Sequence, residues 1–262
     1  MLFLKTFGIS LLISLYGFKR FIYFISICYG LSVATIGGFL LLISTNLTTP
    51  ELILGFLYIS YGLRLSLFLL IREYKHKSYM EKLGNELKAP DKMKFIIKIF
   101  IWISVSLLYG CQTSPLTFRT ISNNKNDKLV YIGIAIILFG FLLEIRADNE
   151  KSNAKKKNPN RFVDSGLYKI VRCPNYFGEV IFWTGNYIGG LKIYEGGLQW
   201  FISTFGYILI IYIMFSGARR IEIRQNKEYG KNPEYQKYIK HTPILIPFIP
   251  LYSVEKYYWL RG

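Results

Sequence analysis

Long runs of apolar residues dominate the sequence and are separated by polar connections. The runs lie at roughly 2–18, 21–44, 52–71, 95–112, 129–145, 175–191 and 198–218. Each is close to the roughly 17 to 25 residues that an α-helix needs to cross the hydrocarbon core of a bilayer. The pattern therefore predicts an all-α membrane protein, a seven-transmembrane helix bundle that forms a single membrane domain over residues 1–262.

The positive charge lies between these runs. The chain has 33 Lys and Arg against 16 Asp and Glu, a formal net charge of +17. Most of the basic residues follow the odd-numbered runs, at Lys19-Arg20, 72–94, 146–172 and 219–262. Because positive loops are retained in the cytoplasm, we expect the N-terminus outside and the C-terminus inside, in a bacterial inner membrane or the endoplasmic reticulum. We then expect the basic residues to contact membrane lipids rather than nucleic acid. We also expect the protein to be a monomer.

Metal and disulfide chemistry have little support in the sequence. Cys28, Cys111 and Cys173 are scattered, and two of them fall inside predicted helices, which indicates free thiols. The histidines, His76 and His241, have no Cys-x-x-Cys or His-x-x-His spacing, so no metal site is predicted. No Gly-x-Gly-x-x-Gly fingerprint occurs, and a Rossmann domain is therefore not expected.

Ionisable residues inside or at the ends of apolar runs are costly and mark candidate functional positions. They are Arg64, Glu144, Asp148 and Glu179. Tyr61 lies three residues before Arg64, so both side chains share one face of the third span. The pair predicts either a polar substrate pocket or a structural hydrogen bond between helices, and both interpretations stay open.

A polar stripe continues the fifth span beyond the bilayer. Glu144, Asp148, Lys151 and Lys155 recur at intervals of four, three and four residues, which places them on one face of a helix. Taken alone, such a stripe is typical of a solvated face whose charges pair with one another.

The segment after the stripe favours a binding site. It contains Asn160-Arg161, a Ser165-Gly166 turn and Arg172-Cys173-Pro174-Asn175, where Pro174 suits the first turn of the next helix. Asn175 and Glu179 are four residues apart and face the same way. Acids facing the membrane from a segment rich in Arg and Lys predict a site for a large, anionic, hydrogen-bonding cofactor.

Residues 58–250 resemble a known family. The stretch from Glu144 to Gly190 carries most of the resemblance, above all in Ala147-Asp148, Asp164-Ser165-Gly166-Leu167-Tyr168 and Pro174-Asn175-Tyr176-Phe177-Gly178-Glu179. The chain is similar there to the membrane steroid 5-alpha-reductase family (3-oxo-5-alpha-steroid 4-dehydrogenase-like), including its bacterial DUF1295 relatives. Residues 1–50 show no clear resemblance.

The resemblance implies an NADPH-dependent oxidoreductase of lipid metabolism, which reduces a carbon-carbon double bond conjugated to a ketone in a steroid-like or other lipid substrate. It implies catalytic roles for Tyr61 and Glu179, with Tyr61 donating a hydrogen bond to the substrate ketone. Arg64 is a further catalytic candidate because it shares the helix face of Tyr61. The resemblance also implies that Asp148, Lys155, Asn175 and an Arg after the last span, which matches Arg219 or Arg220, lie around the cofactor. The other candidate cofactor-binding residues belong to the polar segment 144–179 and are Glu144, Lys151, Asn160, Tyr168, Arg172 and Tyr176. The tail, 219–262, is expected to fold back over the cytoplasmic mouth as a lid.

The chemistry has a physical basis, and two departures from the family bear on the substrate. Hydride addition to an enone builds negative charge on the carbonyl oxygen, which a donor such as Tyr61 stabilises in a dry site. The bacterial relatives have His where Cys173 stands. The steroid enzymes also present a Glu from the second span, whereas residues 21–44 contain no acid.

Two other functions stay open. Membrane isoprenylcysteine carboxyl methyltransferases, which use S-adenosylmethionine, share an Arg-x-Pro-x-Tyr-x-Gly element that Arg172, Pro174, Tyr176 and Gly178 fit. Their tails resemble the series Glu222, Tyr235, Tyr238 and Pro243. The second alternative is a non-enzymatic lipid-binding membrane protein, because no nucleophile or metal requires catalysis.

Overall fold

The computed structural model describes residues 1–75, 93–123 and 127–260, and these residues contain helices and no β-strand. The predicted basic connection at 72–94 lies largely outside them, as does His76. In chain order the helices are α1 (Leu2–Ser14), α2 (Phe21–Phe24), α3 (Ile27–Ile43), α4 (Thr49–Lys75), α5 (Phe95–Gln112), α6 (Ser114–Arg119), α7 (Lys128–Lys157), α8 (Pro174–Gly190), α9 (Gly197–Tyr229) and α10 (Pro233–His241). The predicted all-α class is confirmed for the described chain.

Five stretches of the described chain are long and apolar enough to cross a membrane, and the protein is an integral membrane protein. They are Phe21–Ile43, Thr49–Ile71, Phe95–Gln112, Lys128–Lys157 and Gly197–Tyr229. The run predicted at 2–18 forms α1 and a 3₁₀ turn at Leu15–Phe18, and the run at 175–191 forms the 17-residue α8. The seven-span count and the orientation of the termini stay predictions.

Two long helices continue well past their apolar runs. α7 extends to Lys157 and α9 to Tyr229, so the prediction that the polar stripe is helical is confirmed. α8 begins at Pro174, as expected from the fixed φ of proline and its missing N–H, both of which suit a first turn.

The chain divides into two compact units. The first unit comprises Met1–Ile134 and Asn186–Tyr207, and the second unit comprises Ala135–Gly185 and Ile208–Gly262. Both units are built from segments that are separate in sequence. The predicted single membrane domain over 1–262 stays a prediction.

In the first unit, α3 and α4 approach each other through glycines. A Cβ atom on Gly30 would lie 2.6 Å from the carbonyl oxygen of Gly62, and one on Gly37 would lie 2.8 Å from the Cβ of Tyr58. Small residues permit such close helix crossings in membranes. Tyr58 and Tyr61 of α4 are completely buried in this unit.

In the second unit, α7 and α8 cross where Gly140 meets Gly178. A Cβ on Gly140 would lie 2.6 Å from the Gly178 carbonyl oxygen, and one on Gly178 would lie 2.8 Å from the backbone nitrogen of Glu144. In α9, Gly217 makes room for the ring of Tyr176, whose Cε2 would lie 2.8 Å from an added Cβ. These contacts fix the position of the first turns of α8 against α7 and α9.

The tail after α10 is attached to the start of α8 by backbone hydrogen bonds. The N–H of Arg172 donates to the carbonyl of Pro243 at 2.9 Å, and the N–H of Cys173 donates to that of Ile244 at 3.0 Å. Val254 and Leu260 are buried in the same apolar cluster as Cys173. The tail therefore packs onto the second unit, and its action as a lid stays a prediction.

Candidate functional site

The second unit buries three carboxylates of α7 and α8. Glu144, Asp148 and Glu179 are 3%, 7% and 6% exposed. The crossing at Gly178 places the backbone of Glu144 beside the turn that carries Glu179. Because a buried carboxylate in a membrane protein is costly, a group of them marks a candidate functional site.

Tyr168 lies beside Asp148 at this site. Its hydroxyl donates to the carbonyl of Ala147 at 3.3 Å. Burial raises the pKa of Tyr168 far above its ordinary value, and the negative charge of Asp148 raises it further, so the phenol stays protonated. The Tyr168 carbonyl accepts a hydrogen bond from the Tyr238 hydroxyl at 2.7 Å, which connects the turn before α8 to α10.

Glu150 is a residue that the sequence reasoning missed. Its Oε2 accepts a hydrogen bond from the N–H of Leu167 at 2.7 Å, and its Oε1 accepts one from Nε of Arg146 at 3.0 Å. Gly166, with φ of +59°, lies directly against this carboxylate, and an added Cβ would be 2.8 Å from Oε1. The positive φ favours glycine, and the Glu150 carboxylate occupies the space that a Cβ would take, so Glu150 and Gly166 together shape the turn that positions Tyr168.

Lys155 connects the end of α7 to the loop that follows. Its Nζ donates to the carbonyl of Pro159 at 3.0 Å, to that of Arg161 at 2.7 Å and to the hydroxyl of Tyr229 at 2.9 Å. The predicted cofactor residue Asn160 is exposed on this loop. Next to it, the ring of Phe162 packs against three rings of α9 and α10, those of Tyr229, Tyr235 and Tyr238. Lys155 thus connects the end of α7 to the following loop and to α9, and its predicted contact with a cofactor stays a prediction.

The Cys173 thiol is buried close to the positive charges of Lys151 and Arg172. Burial raises the pKa of Cys173 to about 11, while the positive charges of Lys151 and Arg172 lower it. Lys151, predicted for the cofactor site, is therefore close enough to the start of α8 to act on Cys173. Within the described chain no group of three or more His, Cys, Asp and Glu residues is placed to hold a metal ion.

Arg172 and Glu222 form a buried ion pair between the start of α8 and α9. Nη2 of Arg172 lies 2.7 Å from Oε1 of Glu222, and the two side chains are 1% and 2% exposed. The same Nη2 donates to the Tyr252 carbonyl at 2.6 Å, and Oε2 of Glu222 accepts the N–H of Val254 at 2.8 Å. The pair therefore holds the tail in place as well as α8.

Two nitrogens of the Arg172 guanidinium, Nε and Nη1, are buried and make no hydrogen bond of good geometry to the described residues, and the Tyr235 hydroxyl lies close to the same guanidinium. Buried donors of this kind call for an explanation, and a bound ligand oxygen is one. Arg172 thus combines a structural contact with donors that fit an anionic ligand.

Arg219 and Arg220 differ in their surroundings. Nε of Arg219 donates to the Glu255 carbonyl at 3.0 Å, and its guanidinium lies 5.7 Å from the centre of the Tyr258 ring. Arg220 is exposed. Asn226, one to two turns further along α9, donates to Oε2 of Glu255 at 2.6 Å, so Arg219 and Asn226 both bind the tail.

Tyr61 and Arg64, the predicted catalytic pair, lie in the first unit. The hydroxyl of Tyr61 is 3.1 Å from that of Tyr29 on α3, and the guanidinium of Arg64 lies 5.9 Å from the centre of the Phe68 ring. Tyr29 was missed by the sequence reasoning because a phenol in an apolar run carries no charge to mark it.

Tyr58, one turn before Tyr61, belongs to a second buried polar group of the first unit. Its hydroxyl donates to Oδ1 of Asn186 at 2.6 Å, and Nδ2 of Asn186 donates to the Gln112 carbonyl at 2.9 Å. The ends of α5 and α8 are thereby connected to α4 through hydrogen bonds that are shielded from water.

The sequence matches one family over most of its length. A family model described as a protein of unknown function, DUF1295, matches residues 14–242. The chain belongs to the DUF1295 family. The DUF1295 match begins well before residue 58, so it includes α3 and Tyr29, and it ends before the tail residues Tyr252 and Val254 that contact the buried ion pair.

Similarity to curated proteins is modest, and it covers about half of this chain and about half of each relative. The steroid 5-alpha-reductase DET2 of Gossypium hirsutum is 25% identical over 157 residues, which cover 57% of this DUF1295 chain and 55% of the relative. The 3-oxo-5-alpha-steroid 4-dehydrogenase 1 of Bos taurus is 27% identical over 126 residues, 47% of this chain and 44% of the relative. The uncharacterized protein C9.08c of Schizosaccharomyces pombe is 29% identical over 136 residues, 45% and 44% of the two chains. No solved structure matches the chain significantly.

Proposed function

We propose that the protein is an NADPH-dependent membrane reductase that reduces a carbon-carbon double bond conjugated to a ketone in a steroid-like or other lipid substrate. The names of the Gossypium and Bos relatives support this reaction class. The proposal depends most on the burial of Glu144, Asp148 and Glu179 in one unit of a membrane protein, because ionisable residues buried there are rare and mark functional positions.

The side chains of the second unit fit a large, anionic cofactor with many hydroxyl groups. Asp148 and Glu179 are suited to accept hydrogen bonds from ribose hydroxyls or from a nicotinamide amide, and Asn175 can both donate and accept. The cations suited to phosphate groups are Arg220, which is exposed, and Arg172, through its buried Nε and Nη1. When bound, NADPH would supply the hydride.

Tyr61 is proposed as the donor to the substrate carbonyl. Its hydroxyl is buried and adjacent to that of Tyr29, and hydrogen bonds in a chain strengthen one another when water is excluded. A phenol held in this way stabilises negative charge that develops on a carbonyl oxygen more than it stabilises the neutral ketone. Arg64 is proposed to lower the cost of that charge from the same helix.

Binding to the purified protein in detergent tests the cofactor first. Fluorescence titration should show saturable NADPH binding by wild type and weaker binding by Arg220→Ala and Asn175→Ala. Arg224→Ala is the matched control, because Arg224 is an exposed arginine one turn further along α9 that is not assigned to the site. Saturable binding of S-adenosylmethionine instead of NADPH would support the methyltransferase alternative. Binding of neither would favour the non-enzymatic lipid-binding alternative.

A further inference from the structure

An apolar groove runs along one face of α1 in the first unit. Its volume is about 630 Å³, within the range of roughly 300 to 1,000 Å³ that is typical of ligand pockets. The residues that shape it are Lys5, Gly8, Leu12 and Leu15 with Phe39 of α3 and Trp102 of α5. α1 packs against both α3 and α5, which belong to stretches long and apolar enough to span a membrane. The groove therefore lies between helices whose apolar surfaces are suited to contact with lipid.

The groove has about the length of one leaflet. Lys5 and Leu15 are ten residues apart, about 15 Å along a helix that rises roughly 1.5 Å per residue. The hydrocarbon core of a bilayer is about 30 Å thick, so this distance is about half of it. A single acyl chain lying along α1 would reach from one end of the groove to the other.

Gly8 leaves space in the middle of the groove. Apart from the neighbouring residues and backbone of α1 itself, a Cβ atom built on Gly8 would meet no atom within 4 Å. Leu12 and Leu15, further along the same face, are 69% and 47% exposed. A Cβ at this position would therefore enter the open groove, and a leucine side chain would extend further into the space available to a ligand.

One end of the groove carries a positive charge. Lys5 is the one charged residue among those that line the groove, all of which lie in the described part of the chain. Residues 1–50 contain no Asp or Glu, so this region of the sequence offers Lys5 no carboxylate. A lysine at the edge of an apolar span extends toward the headgroups, where a phosphate provides the complementary charge.

We propose that this groove binds one anionic phospholipid, with an acyl chain along Gly8, Leu12 and Leu15 and its phosphate beside Lys5. The bound lipid completes the packing of α1 against α3 and α5. This site lies within the first unit and does not depend on the proposed reductase function.

Native mass spectrometry of protein released from nanodiscs with equal amounts of phosphatidylglycerol and phosphatidylcholine tests the proposal. Wild type should retain one phosphatidylglycerol per chain, and Gly8→Leu should lose it. Lys5→Gln should lower the preference for phosphatidylglycerol about fivefold, as expected for one basic residue beside an anionic lipid. Leu4→Phe is the control, because Leu4 is an exposed residue of α1 outside the groove lining, and its retention should equal that of wild type.

Several outcomes of that experiment would overturn the proposal. They are equal retention by wild type and Gly8→Leu, a retained mass that corresponds to a fatty acid or a sterol, and a second copy of the chain in place of a lipid.

Photo-crosslinking tests the same proposal on wild type alone, so its result does not depend on the folding of a variant. Phosphatidylglycerol with a diazirine on its acyl chain should react mainly with α1 and Trp102. An even spread of crosslinks over other exposed apolar residues, such as Leu42, Phe56 and Phe139, would contradict a defined site.

Discussion

The hydroxyl oxygens of Tyr29 and Tyr61 lie 3.1 Å apart in the buried interior of the first unit. α3 thus presents a phenol to Tyr61 from residues 21–44, which contain no acid. If Tyr61 donates to a substrate carbonyl, Tyr29 can donate to the oxygen of Tyr61 and raise its strength as a donor. Tyr29 is then a positioning residue, which acts through Tyr61.

Removal of either hydroxyl should lower turnover of an enone lipid, by different amounts. Tyr61→Phe should cost on the order of 10² to 10³ in kcat, the usual cost of one oxyanion donor. Tyr29→Phe should cost about fivefold, the rate equivalent of a neutral hydrogen bond worth roughly 1 kcal/mol. NADPH affinity should change little in both variants.

Tyr16→Phe is the control for these two variants, because Tyr16 is 43% exposed. Tyr58→Phe is unsuitable, since its hydroxyl binds Asn186 and its loss would disturb the first unit. Near-full activity of Tyr61→Phe on a substrate that wild type reduces would exclude Tyr61 as the donor.

The Arg172–Glu222 pair should be essential for the stability of the second unit. Removal of one partner of a buried ion pair leaves an uncompensated charge and costs about 3 to 5 kcal/mol. Arg172→Met and Glu222→Leu should therefore each lower the free energy of unfolding by about that amount, and the double variant should recover part of it. Thermal unfolding in detergent measures the effect. If the double variant loses as much free energy of unfolding as the two single variants together, the two charges do not interact.

Stability should also fall at alkaline pH because of Cys173. The folded thiol keeps its proton until its pKa of about 11, whereas an unperturbed thiol loses it near 9.0. The raised pKa therefore stabilises the fold fully below pH 9 and less as the pH rises through 11, by roughly 3 kcal/mol in total at 1.36 kcal/mol per pKa unit. Buried tyrosines titrate in the same direction, so the measurement is the difference between wild type and Cys173→Ala. An identical pH dependence for the two proteins would contradict this assignment.

Lys155 should act on the loop that follows α7. Lys155→Ala removes three hydrogen bonds, to Pro159, Arg161 and Tyr229, so hydrogen exchange of residues 158–163 should accelerate. Lys156→Ala is the matched control, since Lys156 is the next residue and is exposed. If exchange stays unchanged while NADPH binding weakens, Lys155 acts on the cofactor directly rather than through the loop.

Features set by local spacing could be predicted from the sequence. Intervals of three and four residues placed Glu144 and Asp148 on one helix face, and both are buried in the structure. The helix start at Pro174 followed from the restricted backbone of proline. These elements depend on residues within a few turns of each other, which is the range over which periodicity is informative.

Contacts between distant segments could not be predicted. Arg172 binds Glu222 and the Tyr252 carbonyl, 50 and 80 residues further along the chain, and no local pattern marks such partners. Tyr29 carries no charge, so the hydropathy pattern does not distinguish it from the apolar residues around it. The three hydrogen bonds of Lys155 could not be predicted either. A lysine in a polar stripe can face solvent, bind a ligand or donate to a loop carbonyl, and the sequence does not distinguish these cases.

Hydride transfer from NADPH to an enone lipid defines the proposed reaction, and an isotope-transfer experiment detects it. The wild-type protein in nanodiscs is incubated with an enone steroid and with NADPH in which both hydrogens at C4 of the nicotinamide are replaced by deuterium, and the product is analysed by mass spectrometry and NMR. The expected product is a saturated ketone with one deuterium on the former β-carbon, formed by wild type and at a greatly reduced rate by Tyr61→Phe. Absence of deuterium from every product, or a product that gains a methyl group when S-adenosylmethionine is supplied instead, would exclude hydride transfer from NADPH as the reaction of this protein.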